Sequence, residues 1–179
     1  GDAKYFFFKN FLHFSCRICA FNTFALMKES PEIKPLKGFE DLCFGASKEE
    51  AEGLFGKPQE AQNLTEDILS GHSLVCHYWD FGFSLFFNSK KNQSFCNAEI
   101  DNRETILFGK KIFTLKEKEI VMLMEENGFE SSDTEEHNWG EKRISFEKAG
   151  LDFYFENNKL VAVNIGMPET ESHFYYFPN

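Results

Sequence analysis

Two short stretches of this chain are near copies of each other, and they limit what it can fold into. Gly82-Phe83-Ser84-Leu85-Phe86-Phe87 recurs as Gly150-Leu151-Asp152-Phe153-Tyr154-Phe155. Each reads glycine, apolar, small polar, apolar, aromatic, Phe, the period-2 signature of a half-buried strand opened by a turn glycine. The surroundings recur as well. Ser47 with Glu50 three residues on is a capping box, and the helix it starts runs to about Phe55 and stops at Gly56, with Pro58 beyond. Ala51, Leu54 and Phe55 face the core in that reading. In the second copy Phe108-Gly109 matches Phe44-Gly45, Thr114 with Glu117 is the capping box, and a helix carrying Ile120, Val121, Leu123 and Met124 ends at Asn127-Gly128.

Strands are predicted over 73–79, 82–88 and 94–101, and again over 142–147, 150–156 and 160–165, with Asn157-Asn158 as a hairpin turn. Residues 28–38, with Pro31 and Pro35, read as a linker, 39–44 as a short strand or lead-in, and 59–72 and 130–140 as polar loops. The pattern predicts an α+β fold: two tandem repeats, each a helix followed by a three- or four-stranded antiparallel meander. The divisions are an N-terminal apolar extension and linker (1–38), repeat one (39–103), repeat two (104–167) and a C-terminal aromatic tail (168–179).

Side chains alternate faces along a strand, so each repeat checks the other. One face carries Cys76, Tyr78, Phe83, Leu85, Phe87, Cys96, Ala98 and Ile100, matched by Ile144, Phe146, Leu151, Phe153, Phe155, Val161, Val163 and Ile165. It is apolar throughout and should pack under the helices. The other face carries His77, Trp79, Ser84, Phe86, Phe95, Asn97 and Glu99, matched by Arg143, Ser145, Glu147, Asp152, Tyr154, Leu160, Ala162 and Asn164. Aromatic residues and Arg among small polar ones are typical of protein-binding surfaces. His77, Trp79, Phe86, Asn97, Arg143, Asp152, Tyr154 and Asn164 are therefore the candidate partner-binding residues. The alternative is a solvated sheet face, or one covered by terminal segments such as His173–Phe177.

The 23 Phe predict a core built on large aromatic side chains, and a net charge of −10 argues against nucleic acid as a partner and suits either plain solubility or a basic protein partner. Five cysteines are too few and too irregular for a disulfide framework, which points to a reducing, cytoplasmic setting. Residues 1–26 carry seven Phe, but Lys9, Asn10, His13 and Arg17 interrupt them, so no membrane span or signal peptide is expected there. They read as an extension packed on the body, or as an addition upstream of an ancestral start at Met27; an attachment segment would instead place the protein at the cell envelope. Gly1 reads as a residue left by tag cleavage. Cys16 and Cys19 form a C-x-x-C that lacks the second ligand pair or βαβ setting a metal or redox site needs.

The run Phe44-Gly-Ala-Ser-Lys-Glu-Glu-Ala-Glu-Gly-Leu-Phe-Gly-Lys-Pro58, followed by a Tyr-Trp strand and a glycine-led aromatic strand, resembles the repeat of the β-lactamase-inhibitor-protein-like fold, which includes small outer-membrane-assembly lipoproteins. The resemblance covers 39–166. It implies that the two units join into one long curved sheet with helices on one face, and that the other face binds a partner. No Lys-Pro follows Gly128 in the second copy, and no inhibitory residue carries over.

No phosphate loop, H-E-x-x-H or nucleophile elbow is present, and the five histidines are scattered. The expectation is thus a non-enzymatic, inhibitor- or immunity-like protein-binding module without cofactor or metal, using the exposed sheet face. An envelope-associated structural or ligand-binding protein is the alternative.

Overall fold

The structure is a computed structural model that describes residues 30–64, 72–88, 93–137 and 140–167. Within these residues the chain is α+β, with two α-helices and two sheets. A small mixed sheet comprises β1 (Glu32–Lys34), β2 (Gly38–Phe39), β3 (Leu42–Cys43), β8 (Ile106–Leu107) and β9 (Lys110–Lys111). A large antiparallel sheet comprises β4 (Glu60–Asn63), β5 (His72–Tyr78), β6 (Phe83–Asn88) and β7 (Ser94–Ile100), with β10 (Asp133–Glu136), β11 (Glu141–Phe146), β12 (Leu151–Glu156) and β13 (Lys159–Gly166). Its eight strands run β10-β11-β12-β13-β7-β6-β5-β4. The order reads outward in both directions from the β13–β7 pair.

Helix α1 (Lys48–Phe55) begins as the sequence predicts: Glu50 N donates to Ser47 Oγ and Ser47 N to a Glu50 carboxylate oxygen, and Gly56 ends it at φ 80°. It buries Ala51 and Phe55, whereas Leu54, expected in the core, is 36% exposed. Helix α2 (Glu117–Glu126) starts later than the expected Thr114–Glu117 box. A 3-10 turn takes up Ile112–Thr114, Thr114 Oγ1 donates back to Lys111 O, and the acceptor for the cap is Glu119, which receives Lys116 N at 2.7 Å. Ile120, Leu123 and Met124 face the core.

The expected linker 28–38 is not free of structure. β1 pairs antiparallel with β2 and parallel with β8, so it joins the hairpin before α1 to the hairpin before α2. The match of Phe108-Gly109 to Phe44-Gly45 does not hold in space. Phe108 and Gly109 are the turn of the β8–β9 hairpin, both at positive φ, whereas Phe44 follows β3 and stacks on Phe95. The expected polar loops hold β4 and β10, the two outermost strands of the large sheet. All their residues are exposed, so neither has the alternating apolar pattern by which a strand is recognised.

The core lies between the large sheet and the layer formed by the helices and the small sheet. Phe39 and Phe55 reach down to Phe83 at ring distances of 5.1 Å each, and Tyr78 stacks on Phe83 at 4.9 Å. Tyr78 donates its hydroxyl to Gly56 O, which satisfies the one polar atom of a fully buried ring. Burial, then the nearby Cys76 and Glu52, push its pKa well above the usual phenol range. Phe146 meets Phe153 edge-on at 5.7 Å in the same core.

Two β-bulges correct the predicted faces. The β6–β7 register shifts between Phe86 and Phe87, so Phe86 opposes Asn97 but Phe87 opposes Phe95. The β12–β13 register shifts between Tyr154 and Phe155, so Tyr154 opposes Ala162 but Phe155 opposes Leu160. The extra residue in each case breaks the alternation. Phe95 and Leu160, expected on the outer face, are each 1% exposed in the core, while Cys96 and Val161, expected in the core, are only half-buried. The bulges are held from outside: Phe95 exchanges backbone hydrogen bonds with Gly45 and Ala46, and Arg103 Nη1 donates to Leu160 O.

Gly82 closes the 3-10 turn Trp79–Phe81 at φ +67°, and a Cβ there would lie 2.9 Å from the backbone of Asn102. Gly109 sits at φ +75° with nothing within 4 Å of a Cβ. Ala at either position strains the backbone by about 1–2 kcal/mol, but only at Gly82 does it also force β7's exit away. Gly82→Ala should therefore lose about 3 kcal/mol or more in urea unfolding, and Gly109→Ala about half of that; equal losses would contradict the packing described.

Candidate open-face binding site

The face of the large sheet turned away from the helices carries a continuous polar row. Register partners across the sheet run Asp133, Ser145, Asp152, Asn164, Glu99, Ser84, His77 and Glu60, one residue from each strand. Beside this row lie two shorter lines. Glu135, Arg143, Tyr154 and Ala162 cross one half, and Gly166, Asn97, Phe86, Val75 and Gln62 cross the other.

All eight sequence-predicted residues lie on this side. His77, Phe86, Asn97, Arg143, Asp152, Tyr154 and Asn164 are half-buried. Trp79 is not in a strand; it sits in the 3-10 turn after β5, 57% exposed, with its ring stacked on His77 at 5.0 Å. His77 Nδ1 is 2.8 Å from Ser84 Oγ on β6, which fixes the imidazole beneath the indole. Ser145, predicted on the same face, is 5% exposed, because β10 lies along it and Ser132 N and Oγ both bond Ser145 O. Cys16, Cys19 and the 173–177 segment lie outside the described residues.

Arg143 organises the second half. Its Nη2 is 3.1 Å from Asp133 Oδ2 and 3.2 Å from Glu135 Oε2, both on the edge strand β10. Burial works against its charge, but Asp152, Glu135, Tyr154 and Asp133 more than offset that, and its pKa is pushed further up. Its Nε and Asn164 Oδ1 are buried with no hydrogen-bond partner among the described residues. Tyr154 lies opposite Arg143; burial raises its phenol pKa, Asp152 raises it further, and Arg143 pulls it back. Lys142, the next residue, points to the other side and pairs with Glu117 of α2 at 2.7 Å.

Among the described residues, three cavities open on this face. One of about 510 Å³ lies over Tyr154, Ala162 and Asn164 and is bounded by Glu135 and Arg143. A second, about 650 Å³, lies between Asn97, Arg143, Asp152 and Asn164. The third, about 320 Å³, lies between Trp79, His77, Glu99 and Asp101. Asp101, Asp133 and Glu135 belong to this surface and are not among the eight expected partner-binding residues. Two of them are on or beside β10, a strand with no hydrophobic signature. Among the described residues no group of three or more His, Cys, Asp and Glu is placed to hold a metal ion, and no helix is long and apolar enough to cross a membrane.

No family model matches the chain, and no curated protein matches it. Two solved structures are similar. One is an extracellular protein containing an SCP domain from Bacillus anthracis, at TM-score 0.48 and 12% identity over 71% of this chain. The chain spans 45% of that protein's length. The other is a DUF4309 family protein, YjgB, from Bacillus subtilis, at TM-score 0.42 and 12% identity over 72% of this chain and 83% of that one. Neither is a β-lactamase-inhibitor-like protein or an outer-membrane-assembly lipoprotein, so the resemblance drawn from residues 39–166 is corrected, and the inhibitor and immunity readings go with it. The cytoplasmic expectation is corrected too, since the first of these structures is of a protein described as extracellular.

Arg143→Gln removes the cation that lowers the Tyr154 pKa and leaves Asp152, which raises it. The Tyr154 ring resonances in a pH titration by NMR should then move at higher pH than in the parent chain. Because the neutral phenol is favoured in the folded state, Tyr154 contributes stability below about pH 10 that is lost above it. An unchanged or lower titration midpoint in Arg143→Gln would contradict the electrostatics described.

Proposed function

We propose that this chain is a non-enzymatic binding module that takes its ligand on the open face of the eight-stranded sheet. The observation that carries the reading is the placement of the three cavities. Among the described residues these three are lined mainly from the side of the sheet away from the helices, around His77, Trp79, Asn97, Arg143, Tyr154 and Asn164. Concave surfaces with a few convergent polar groups and aromatic walls are where ligands and partners bind.

We also infer that the architecture is a tandem duplication. Strand order, register and bulge position support it. Glu60 opposes His77 and Gln62 opposes Val75 in one half; Asp133 opposes Ser145 and Glu135 opposes Arg143 in the other. The bulges fall after Phe86 and after Tyr154, one residue from the end of matching motifs. Gly82 O accepts from Asp101 N and Gly150 O from Gly166 N, closing the two glycine turns in the same way. Duplication gives the open face two related halves with different side chains, which suits an extended ligand contacting both.

The second reading is a place at the cell envelope. It comes from the sequence alone, through the Phe-rich 1–26 segment as an attachment, and fractionation of the native protein tests it: a purely soluble pool removes it.

The binding reading is tested with the full chain, isotope-labelled, against a panel of basic, acidic and apolar tripeptides and simple saccharides. Binders should shift amides of β5–β7 and β11–β13 next to outward-facing residues, and Tyr154→Ala or Trp79→Ala should weaken at least one binder by about tenfold or more, as loss of a central aromatic contact does. No response to any member, or shifts confined to the helices and the small sheet, would contradict it.

A further inference from the structure

The two halves of the open face treat their carboxylates differently. In β10–β13 the acidic groups surround an internal cation: Arg143 pairs with Asp133 and Glu135 and feels Asp152. β4–β7 contain no Lys or Arg at all. Glu99 and Asp101 nevertheless stand two residues apart at the end of β7, on one wall of the 320 Å³ cavity, and among the described residues neither has an ion-pair partner within 4.0 Å. Position 75, the counterpart of Arg143 by register, is Val75, which opposes Phe86 as Arg143 opposes Tyr154.

The opposite wall of that cavity is aromatic and braced. Trp79 is exposed, its ring lies at 19° to that of His77, and His77 is held by Ser84. An indole face set against two carboxylates is the environment an organic cation prefers, through cation–π attraction on one side and charge-assisted hydrogen bonds on the other. A bare metal ion would find two carboxylates and an aromatic wall where it needs six or more oxygens. A planar guanidinium matches better than an ammonium, because it stacks on the ring while its fork of donors reaches both acids.

Resting on the open-face reading above, we propose that the Trp79–Glu99–Asp101 cavity receives an arginine side chain from a protein segment that lies along the sheet. The guanidinium supplies to this half the positive charge that Arg143 supplies to the other. The flanking residues of the segment lie over Phe86 and Asn97, next to the cavity in the cross-strand rows.

The test titrates acetyl-Gly-Arg-Gly-amide, its lysine counterpart and its neutral citrulline counterpart into the labelled full chain. The readout is the Trp79 indole N–H, assigned by its loss in Trp79→Phe. The arginine peptide should shift this signal and the Glu99 and Asp101 amides saturably, the lysine peptide about fivefold more weakly, and the citrulline peptide not at all, as expected for planar charge-assisted recognition. The double variant Glu99→Gln, Asp101→Asn should weaken the arginine peptide about tenfold or more with its urea midpoint unchanged, since both positions are exposed. Equal shifts with citrulline, no shift up to about 10 mM peptide, where binding is worth under 3 kcal/mol, or full affinity in the double variant would each overturn the proposal. Shifts that map instead around Arg143 and Tyr154 overturn it too, and leave the open-face reading standing.

Discussion

The antiparallel pairing of β7 with β13 is the contact on which everything else in this molecule depends. Ile100 opposes Val163, Glu99 opposes Asn164, Ala98 opposes Ile165 and Asn97 opposes Gly166. On the core side the seam is large against medium and small against large, all essentially buried, which keeps packing dense across the join. On the open side Gly166 leaves room for the Asn97 amide, which would lie 3.0 Å from a Cβ at that position. Without the seam there would be two four-stranded sheets, each with an additional raw edge. With it there is one surface, and the remaining edges, β4 and β10, are short, fully exposed and rich in acidic or polar side chains, which discourages edge-to-edge association.

The elements that were legible in sequence are those with a strong local signal. The glycine-led strands β6 and β12, the α1 capping box and the Asn157-Asn158 turn each depend on residues close in sequence. What was not legible depended on partners far away. β1 looks like a linker because Pro31 and Pro35 flank it, yet it bridges two hairpins more than 60 residues apart, Ile106 N reaching Pro31 O at 2.7 Å. β10 and β4 bury nothing, so periodicity cannot find them. The bulges invert Phe95 and Leu160 relative to a strict period of two, because Gly45–Ala46 and Arg103 take up the displaced backbone groups. The family resemblance rested on helix-cap and turn residues that many folds share, which is why it did not survive comparison.

The candidate site was recognisable as a face and not as a constellation. Alternation along the strands groups His77, Phe86, Asn97, Arg143, Asp152, Tyr154 and Asn164 on one side, with Trp79 in the turn after β5, but how they meet comes from cross-strand geometry. Arg143 is pinned between Asp133 and Glu135 on β10, a strand exposed throughout and without apolar alternation. Trp79 gains its orientation from His77, which gains its own from Ser84. The resulting surface is acidic and aromatic, with a cation, Arg143, among strands β10–β13 and no Lys or Arg in the strands β4–β7.

Backbone amide hydrogen exchange tests the single-sheet architecture most directly. If β7 and β13 form the centre of one eight-stranded sheet, amides hydrogen-bonded across the seam should exchange only through global unfolding. They should be as slow as those between β6 and β7 and between β12 and β13, with β4 and β10 the fastest. Faster exchange at the seam than within either half, with two separate transitions in urea, would mean that the halves are independent and that the continuous open face does not exist.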